Sequence, residues 1–221
     1  MIVCFSGKKG SGKDTAADVW VKYFNESVMG SFYKVSLADP LKRFCQLVFG
    51  FTSETLWGPS ELRDVPDTRY PRPDGYGYLS PRYALQTLGT EWGRNCYSDV
   101  WIDYAKGIHD QLTSCSNLLR TYTPERGVFS QYPSENMPFC AGVVIPDVRF
   151  PNEVRRLKEH KAYIVRVVRP DLESKDDHAS ETSLDSFSAG DFDEVVYNDS
   201  DLDTFRDRIE FLAQGYFLEN S

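Results

Sequence analysis

No apolar run in this 221-residue chain approaches the ~20 residues that a membrane-spanning helix needs. The first residues pass straight into a candidate strand, so no secretory signal is expected. Cys-x-x-Cys pairs are absent. The five cysteines, Cys4, Cys45, Cys96, Cys115 and Cys140, are odd in number and scattered. That argues against structural zinc and for a reduced, cytoplasmic chain. Basic excess is also missing: 25 Lys and Arg face 33 Asp and Glu, a net charge of −8. A general nucleic-acid binder needs a basic surface, so that class is set aside. The Asn-Lys-x-Asp motif by which GTPases read their base does not occur, and neither does an internal repeat.

What charge there is lies unevenly. Residues 1–170 carry 22 basic and 18 acidic side chains, net +4; residues 171–221 carry 3 basic and 15 acidic, net −12. The acidic end reads as a solvated surface. The basic part suits a small polyanion bound in a local cleft.

That part contains Gly7-Lys8-Lys9-Gly10-Ser11-Gly12-Lys13-Asp14-Thr15. Ahead of it, Ile2–Ser6 reads as a buried strand; behind it, Ala16, Val19, Trp20 and Tyr23 have the spacing of one helix face. Strand, glycine turn and helix are the context of a phosphate-binding loop. Glycines let the backbone fold around an anion, and the helix start adds its positive dipole end. Lys9, Gly10, Ser11, Gly12, Lys13, Asp14 and Thr15 are therefore the candidate ATP phosphate site, with Lys13 reaching the β and γ phosphates. The usual Ser or Thr after the lysine is replaced by Asp14, and the hydroxyl moves to Thr15. Glycine-lysine-x-threonine is how many nucleoside monophosphate kinase loops read. Thr15 is then the candidate Mg²⁺ ligand.

Strands are expected at 2–6, 32–37, 141–146, 162–168 and 194–197. Helices are expected at about 14–26, 40–49, 80–94, 98–112 and 152–160, with a last one capped by Asn198-Asp199-Ser200 and running to about Ala213. Residues 50–79 read as an ordered excursion, and 114–139 as a mobile insertion. Strands alternating with helices predict an α/β fold, a parallel sheet with helices on both faces. Its ligands should bind at the carboxyl ends of the strands. The chain is expected to be one domain, 1–221, with an acceptor-binding insertion over 50–97 and a flexible one over 114–140.

Several polar residues follow strands and should share the crevice with Lys13: Asp39, Asp147, Arg149, Arg169 and Asn198. Arg63, Arg69, Arg72, Arg82 and Arg94 come from the excursion and its helix. A hydroxyl acceptor, as in a nucleoside or dephospho-coenzyme A kinase, would need Asp39 or Asp147 as base. A monophosphate acceptor is already anionic; two repelling anions then need arginine forks instead. The arginine supply leans toward the monophosphate. Each residue has a plainer reading too. Asp39 reads as a helix cap, Asp147 and Arg149 as a mutual ion pair, Arg82 and Arg94 as helix surface, and Asn198 as a turn residue. Trp57, Tyr70, Tyr76 and Tyr78 read as packing of the excursion more than as base-stacking groups. A nucleotide-binding switch without an acceptor is the reading from another class.

Three further segments bring a resemblance: Leu37-Ala38-Asp39-Pro40-Leu41-Lys42, Leu85-Gln86-Thr87-Leu88-Gly89-Thr90-Glu91 with Arg94, and Val144-Ile145-Pro146-Asp147-Val148-Arg149 with Glu153. Val167-Val168-Arg169-Pro170, then His178 with Ser180-Glu181, then Tyr197-Asn198-Asp199 follow in order. Together with the loop, these resemble the phage-type deoxynucleoside monophosphate kinases. The resemblance implies a three-layer P-loop kinase fold with a five-stranded parallel sheet and insertions for acceptor and lid. It implies ATP and Mg²⁺ as cofactors, a nucleoside monophosphate as acceptor, no nucleic-acid or membrane partner, and a monomer or homodimer in the host cytoplasm of a virus. Lys13, Arg149 and Arg94 are the implied catalytic residues, Arg149 as the lid arginine. Asp39, Lys42, Arg69, Arg82, Gln86, Arg94 and Asp147 are the implied acceptor site. Asn198 is the implied adenine contact.

Overall fold

The computed structural model describes residues 1–27, 30–73, 75–114, 119–131, 139–170, 172 and 183–220. The chain divides into two compact units: Met1–Leu37 with Ile102–Tyr122 and Val128–Ser221, and Ala38–Trp101 with Thr123–Gly127. The expected 50–97 insertion lies inside the second unit, which starts earlier, at Ala38.

The first unit is built on a five-stranded parallel sheet: β1 (Ile2–Ser6), β2 (Ser31–Lys34), β7 (Cys140–Val148), β8 (Tyr163–Val168) and β9 (Glu194–Tyr197), in the order β2-β7-β1-β8-β9. Val3 pairs with Val144 on one side and Tyr163 on the other, so β1 is central. Every residue of Ile2–Ser6 is buried, which requires cover on both faces and explains the unalternating apolar run. The fold is α/β, a P-loop kinase fold with helices around the sheet. All five strands point the same way, so the ends of β1, β7, β8 and β9 lie along one edge.

Helix α1 (Lys13–Asn25) buries Ala16, Ala17, Val19, Trp20 and Phe24. Trp20 is fully buried, with Phe5 at 6.0 Å and Phe24 at 5.7 Å between ring centroids. Truncating such a ring costs about 3–5 kcal/mol. The last helix, α7 (Leu202–Asn220), runs past the expected end near Ala213. Tyr216 stacks 4.3 Å from Tyr163 and 5.7 Å from Trp20, and Phe217 lies 6.1 Å from Phe24. This packing carries the helix across Gly215. Its cap is Asp201, whose carboxylate accepts from the N–H groups of Asp203 and Thr204, rather than Asn198–Ser200. Strand β2 is shorter than expected, because Asp147 accepts from Ser36 Oγ and the Leu37 N–H and draws the chain off the ladder. Helix α6 (Pro151–Glu159) falls as expected.

In the second unit, α2 (Asp39–Phe49) is followed by α3 (Ser53–Trp57), a 3₁₀ turn at Ser60–Asp64 and the antiparallel pair β3 (Asp67–Pro71) and β4 (Tyr78–Leu79). The excursion is thus ordered. Its core is Cys45, Phe51, Leu56 and Ala84, with Trp57 and Tyr70 against it. Tyr76 and Tyr78 are exposed. Helix α4 (Pro81–Gln86) starts where Ser80 and Pro81 place it, with Ser80 Oγ accepting from the Tyr83 N–H. It then widens into a π-helix over Thr87–Arg94, which the sequence did not announce. Helix α5 spans Val100–Thr113 and belongs to the first unit from Ile102 on. Residues 119–131 hold a two-stranded sheet of β5 (Leu119–Thr123) and β6 (Gly127–Gln131), so the middle of the expected mobile insertion is regular structure. The rest of that expectation falls on residues 115–118 and 132–138, outside the described ones.

Candidate active site

The loop between β1 and α1 closes on itself. The Ser11 N–H donates to the Lys8 carbonyl at 3.0 Å, and the Ala16 N–H to the Gly12 carbonyl at 2.9 Å. Gly10 and Gly12 have φ of 82° and 100°, backbone that glycine adopts without strain. Gly12 is also the helix N-cap and has no side chain with which to cap it. The amides of the first turn therefore stay available to an anion. Gly7 is fixed by space: a Cβ there would lie 2.4 Å from Ser11 Oγ and 2.7 Å from the Val167 carbonyl oxygen.

Lys13 is 4% exposed, with Nζ 3.2 Å from Asp14 Oδ2. An ammonium this buried is held for something, and its neighbour Asp14 is an exposed first-turn acid. The Ser11 hydroxyl is buried within the loop and has no hydrogen-bond partner among the described residues. A buried orphan hydroxyl is costly unless a ligand satisfies it. Thr15 is half-buried one turn into α1. Asn198, at the end of β9, donates from Nδ2 to the Ser11 carbonyl at 2.9 Å. It braces the loop, which the plain turn reading did not foresee.

Two neighbours of the loop escaped the sequence reading. Arg166, in the middle of β8, donates to Ser6 Oγ at 3.0 Å and lies over the Phe192 ring. Burial lowers its pKa. Lys8 pairs with Asp185 at 3.0 Å. A mid-strand arginine and an acid 177 residues from its partner leave no local pattern.

At the sheet edge, Asp147 accepts from Ser36 Oγ at 2.6 Å and from the Leu37 N–H at 3.0 Å. Glu153, fully buried, accepts from the main-chain N–H groups of Arg149 at 2.7 Å and Phe150 at 3.0 Å. It holds the start of α6 and so fixes where Arg149 leaves the backbone. Arg169 directly follows β8. His178, Ser180 and Glu181 lie outside the described residues.

In the second unit, Asp39 is 2% exposed and sits in the first turn of α2, with no cap bond made by the N-cap residue Ala38. It accepts from the Trp57 indole N–H at 3.2 Å, and Lys42 Nζ is 3.9 Å away. Arg69 forks onto Asp67 and reaches the Phe49 carbonyl. Arg82 pairs with Asp64 and donates to the Ser60 carbonyl and hydroxyl. Arg72 lies over the Tyr83 ring. Arg69 and Arg82 therefore tie the excursion together. Gln86 ends α4 and Arg94 ends the π-helix. Among the described residues, no cluster of three or more His, Cys, Asp or Glu is poised to hold a metal. That is compatible with Mg²⁺, which is commonly bound by one or two protein groups plus substrate phosphates.

Comparison with known proteins bears on the family. Residues 127–209 match the family model of deoxynucleotide monophosphate kinase. A protein of Acanthamoeba polyphaga mimivirus, provisionally named a deoxynucleotide monophosphate kinase, is 30% identical over 209 residues, covering 95% of this chain and 94% of its own. With a phosphate loop at the head of a parallel sheet and a relative spanning nearly its whole length, the chain belongs to the deoxynucleotide monophosphate kinase family of phosphotransferases.

Proposed function

We propose that this protein transfers the γ-phosphoryl group of ATP to a deoxynucleoside monophosphate, giving ADP and the diphosphate. The observation that carries the reading is the phosphate loop: left-handed Gly10 and Gly12, an orphaned Ser11 hydroxyl and a buried Lys13 at an uncapped helix start. Lys9, Gly10, Ser11, Gly12, Lys13 and Thr15 would cradle the ATP phosphates, with Asp14 holding the Lys13 ammonium. Thr15 would hold Mg²⁺, which supplies charge neutralisation between the β and γ phosphates.

The bond from the γ phosphorus to the β–γ bridging oxygen breaks, and one forms to an oxygen of the acceptor phosphate. That oxygen is already anionic, so no base is needed. Asp147 accepts hydrogen bonds from Ser36 and Leu37, as a brace rather than a base would. Arg149 and Arg94 would neutralise charge on the transferring group and the acceptor. Lys42 and Gln86 complete the acceptor site, and Asp39, Arg69 and Arg82 hold its framework. Asn198 would adjoin the donor adenine while bracing the loop. The free thiols of Cys4, Cys45, Cys96 and Cys140 fit a reducing cytoplasm.

The test is ADP release with ATP and Mg²⁺ against ribo- and deoxyribonucleoside monophosphates, with nucleosides and dephospho-coenzyme A as controls. Turnover with deoxynucleoside monophosphates is expected. Turnover confined to the hydroxyl acceptors, or none at all, would refute the proposal.

A further inference from the structure

Within the second unit lies a cavity of about 400 Å³, lined by Pro40, Leu41, Phe44, Leu88, Trp92 and Trp101. Its construction is specific. Trp101 presses so close to the π-helix that a Cβ at Gly93 would sit 2.2 Å from its Cζ2, and one at Gly89 would sit 3.0 Å from Leu41 Cδ1. Two glycines four apart thus admit the indole and the leucine. The widened turn over Thr87–Arg94 carries Leu88 and Trp92 to the same cavity. π-helical segments inside helices are frequent at functional sites.

Trp101 forms a buried wall, 7% exposed. Its indole N–H donates to the Gly89 carbonyl at 2.9 Å. Trp92 and Phe44, by contrast, are 60% and 45% exposed. Two aromatic faces left in water beside an apolar hollow suit a flat, apolar-faced guest. The volume falls in the range of small-molecule sites. Cations adjoin the lining in sequence: Lys42 follows Leu41, and Arg94 lies two residues beyond Trp92. The guest that meets these conditions is a planar ring carrying an anionic group.

We propose that this cavity receives the base of the acceptor nucleotide, with Trp92 and Phe44 as its stacking faces. The assignment rests on the kinase reading given above. Apart from the Trp92 indole N–H, the lining is apolar or already hydrogen-bonded, so recognition here works by stacking and shape. Stacking acts on any base, since each has a π face.

Kinetics and direct binding on the full chain test this, using Trp92→Ala, Trp92→Phe and Phe44→Ala. Both positions are surface-exposed enough for the variants to fold. Trp92→Ala should raise KM for purine and pyrimidine monophosphates alike by about 10-fold or more. Its kcat and its KM for ATP should stay within about 2-fold of wild type, because stacking on the base bears on neither the reacting phosphates nor ATP. Trp92→Phe should restore most of the affinity, and Phe44→Ala should fall between. Wild-type turnover with an unchanged KM in Trp92→Ala overturns the pocket and leaves the kinase reading standing. So does a KM rise confined to one base, or an unchanged KM with an altered oligomeric state, which would assign the face to a protein partner. If the wild type shows no turnover, calorimetric titration with the monophosphates decides. Binding lost in Trp92→Ala upholds the pocket while the kinase reading falls, and no binding to wild type ends both.

Discussion

Asn198 donates its side-chain amide to the Ser11 carbonyl at 2.9 Å, and its own N–H to the Val168 carbonyl at 2.8 Å. One residue thereby links the ends of β8 and β9 to the phosphate loop. Asn198→Ala leaves the Ser11 carbonyl without this donor and should cost about 1 kcal/mol. For a chain of this size that is a fall in Tm of roughly 2–4 °C. Asn198→Asp should be worse, since it turns an acceptor toward an acceptor. Both should raise KM for ATP by loosening the loop. Melting curves of the two variants check this; an Asp variant as stable as wild type would remove the brace from the account.

Gly12 and Gly107 make opposite predictions for the same substitution. Gly12 has φ of 100°, and a Cβ there would lie 2.7 Å from Asn198 Nδ2 and 3.2 Å from Phe205 Cε1. Gly12→Ala should lose at least the roughly 1–2 kcal/mol of a left-handed alanine, and ATP binding with it. Gly107 lies inside α5 with nothing within 4 Å of its absent Cβ. Gly107→Ala should gain about 0.5–1 kcal/mol from helix propensity. Differential scanning calorimetry should show the two melting temperatures moving in opposite directions from wild type. Parallel movement would mean that the loop backbone is not held as described.

These contrasts show what the chain makes legible. The strand, loop and first helix read directly because each signal is local: an apolar run, spaced glycines, then apolar residues at helical intervals. The brace by Asn198 was illegible because its partner is 187 residues away. The π-helix was illegible because Gly89 and Gly93 read as ordinary helical glycines until Leu41 and Trp101 arrive against them. The last helix was expected to end near Ala213, and the Tyr163 and Tyr216 stack carries it further. Among the candidate arginines, sequence alone could not separate reach from restraint. Arg69 is engaged by Asp67 and Arg82 by Asp64, within the excursion itself.

Burial pushes the Cys45 thiol up to about 12 and the Cys140 thiol to about 11. Cys4 is raised well beyond the ordinary thiol value, by burial first and by nearby carboxylates second. Burial also raises the Tyr163 hydroxyl. A group whose folded pKa exceeds its unfolded value binds its proton more tightly when folded. Its contribution is complete below the unfolded pKa of ~8.5 for a thiol and is lost as pH rises through the folded value. Stability should thus decline from about pH 9 upward. Native protein treated with a thiol reagent near neutral pH should react at exposed Cys96 ahead of Cys4, Cys45 and Cys140. A urea midpoint unchanged between pH 8 and 10.5, or early labelling of Cys45, would contradict this.

Arg149 and Glu153 should separate chemistry from scaffold. The Glu153 carboxylate, fully buried, takes the main-chain N–H of Arg149 at 2.7 Å. Glu153→Ala leaves two N–H groups at the start of α6 without their acceptor and should cost about 1–3 kcal/mol. Its kcat should fall too, because Arg149 is no longer held in place. Arg149→Ala keeps the cap, so its Tm should fall less than that of Glu153→Ala. Its kcat should nonetheless fall by about 10³-fold, as for loss of a cationic group on a transferring phosphoryl. Lys13→Ala should fall at least as far, because its ammonium bears on the same charge from the donor side. Stopped assays at saturating ATP and acceptor, paired with thermal melts, read both quantities on each variant. An Arg149→Ala enzyme turning over near the wild-type rate would move that arginine from the reaction to the scaffold and leave Lys13 to act without it.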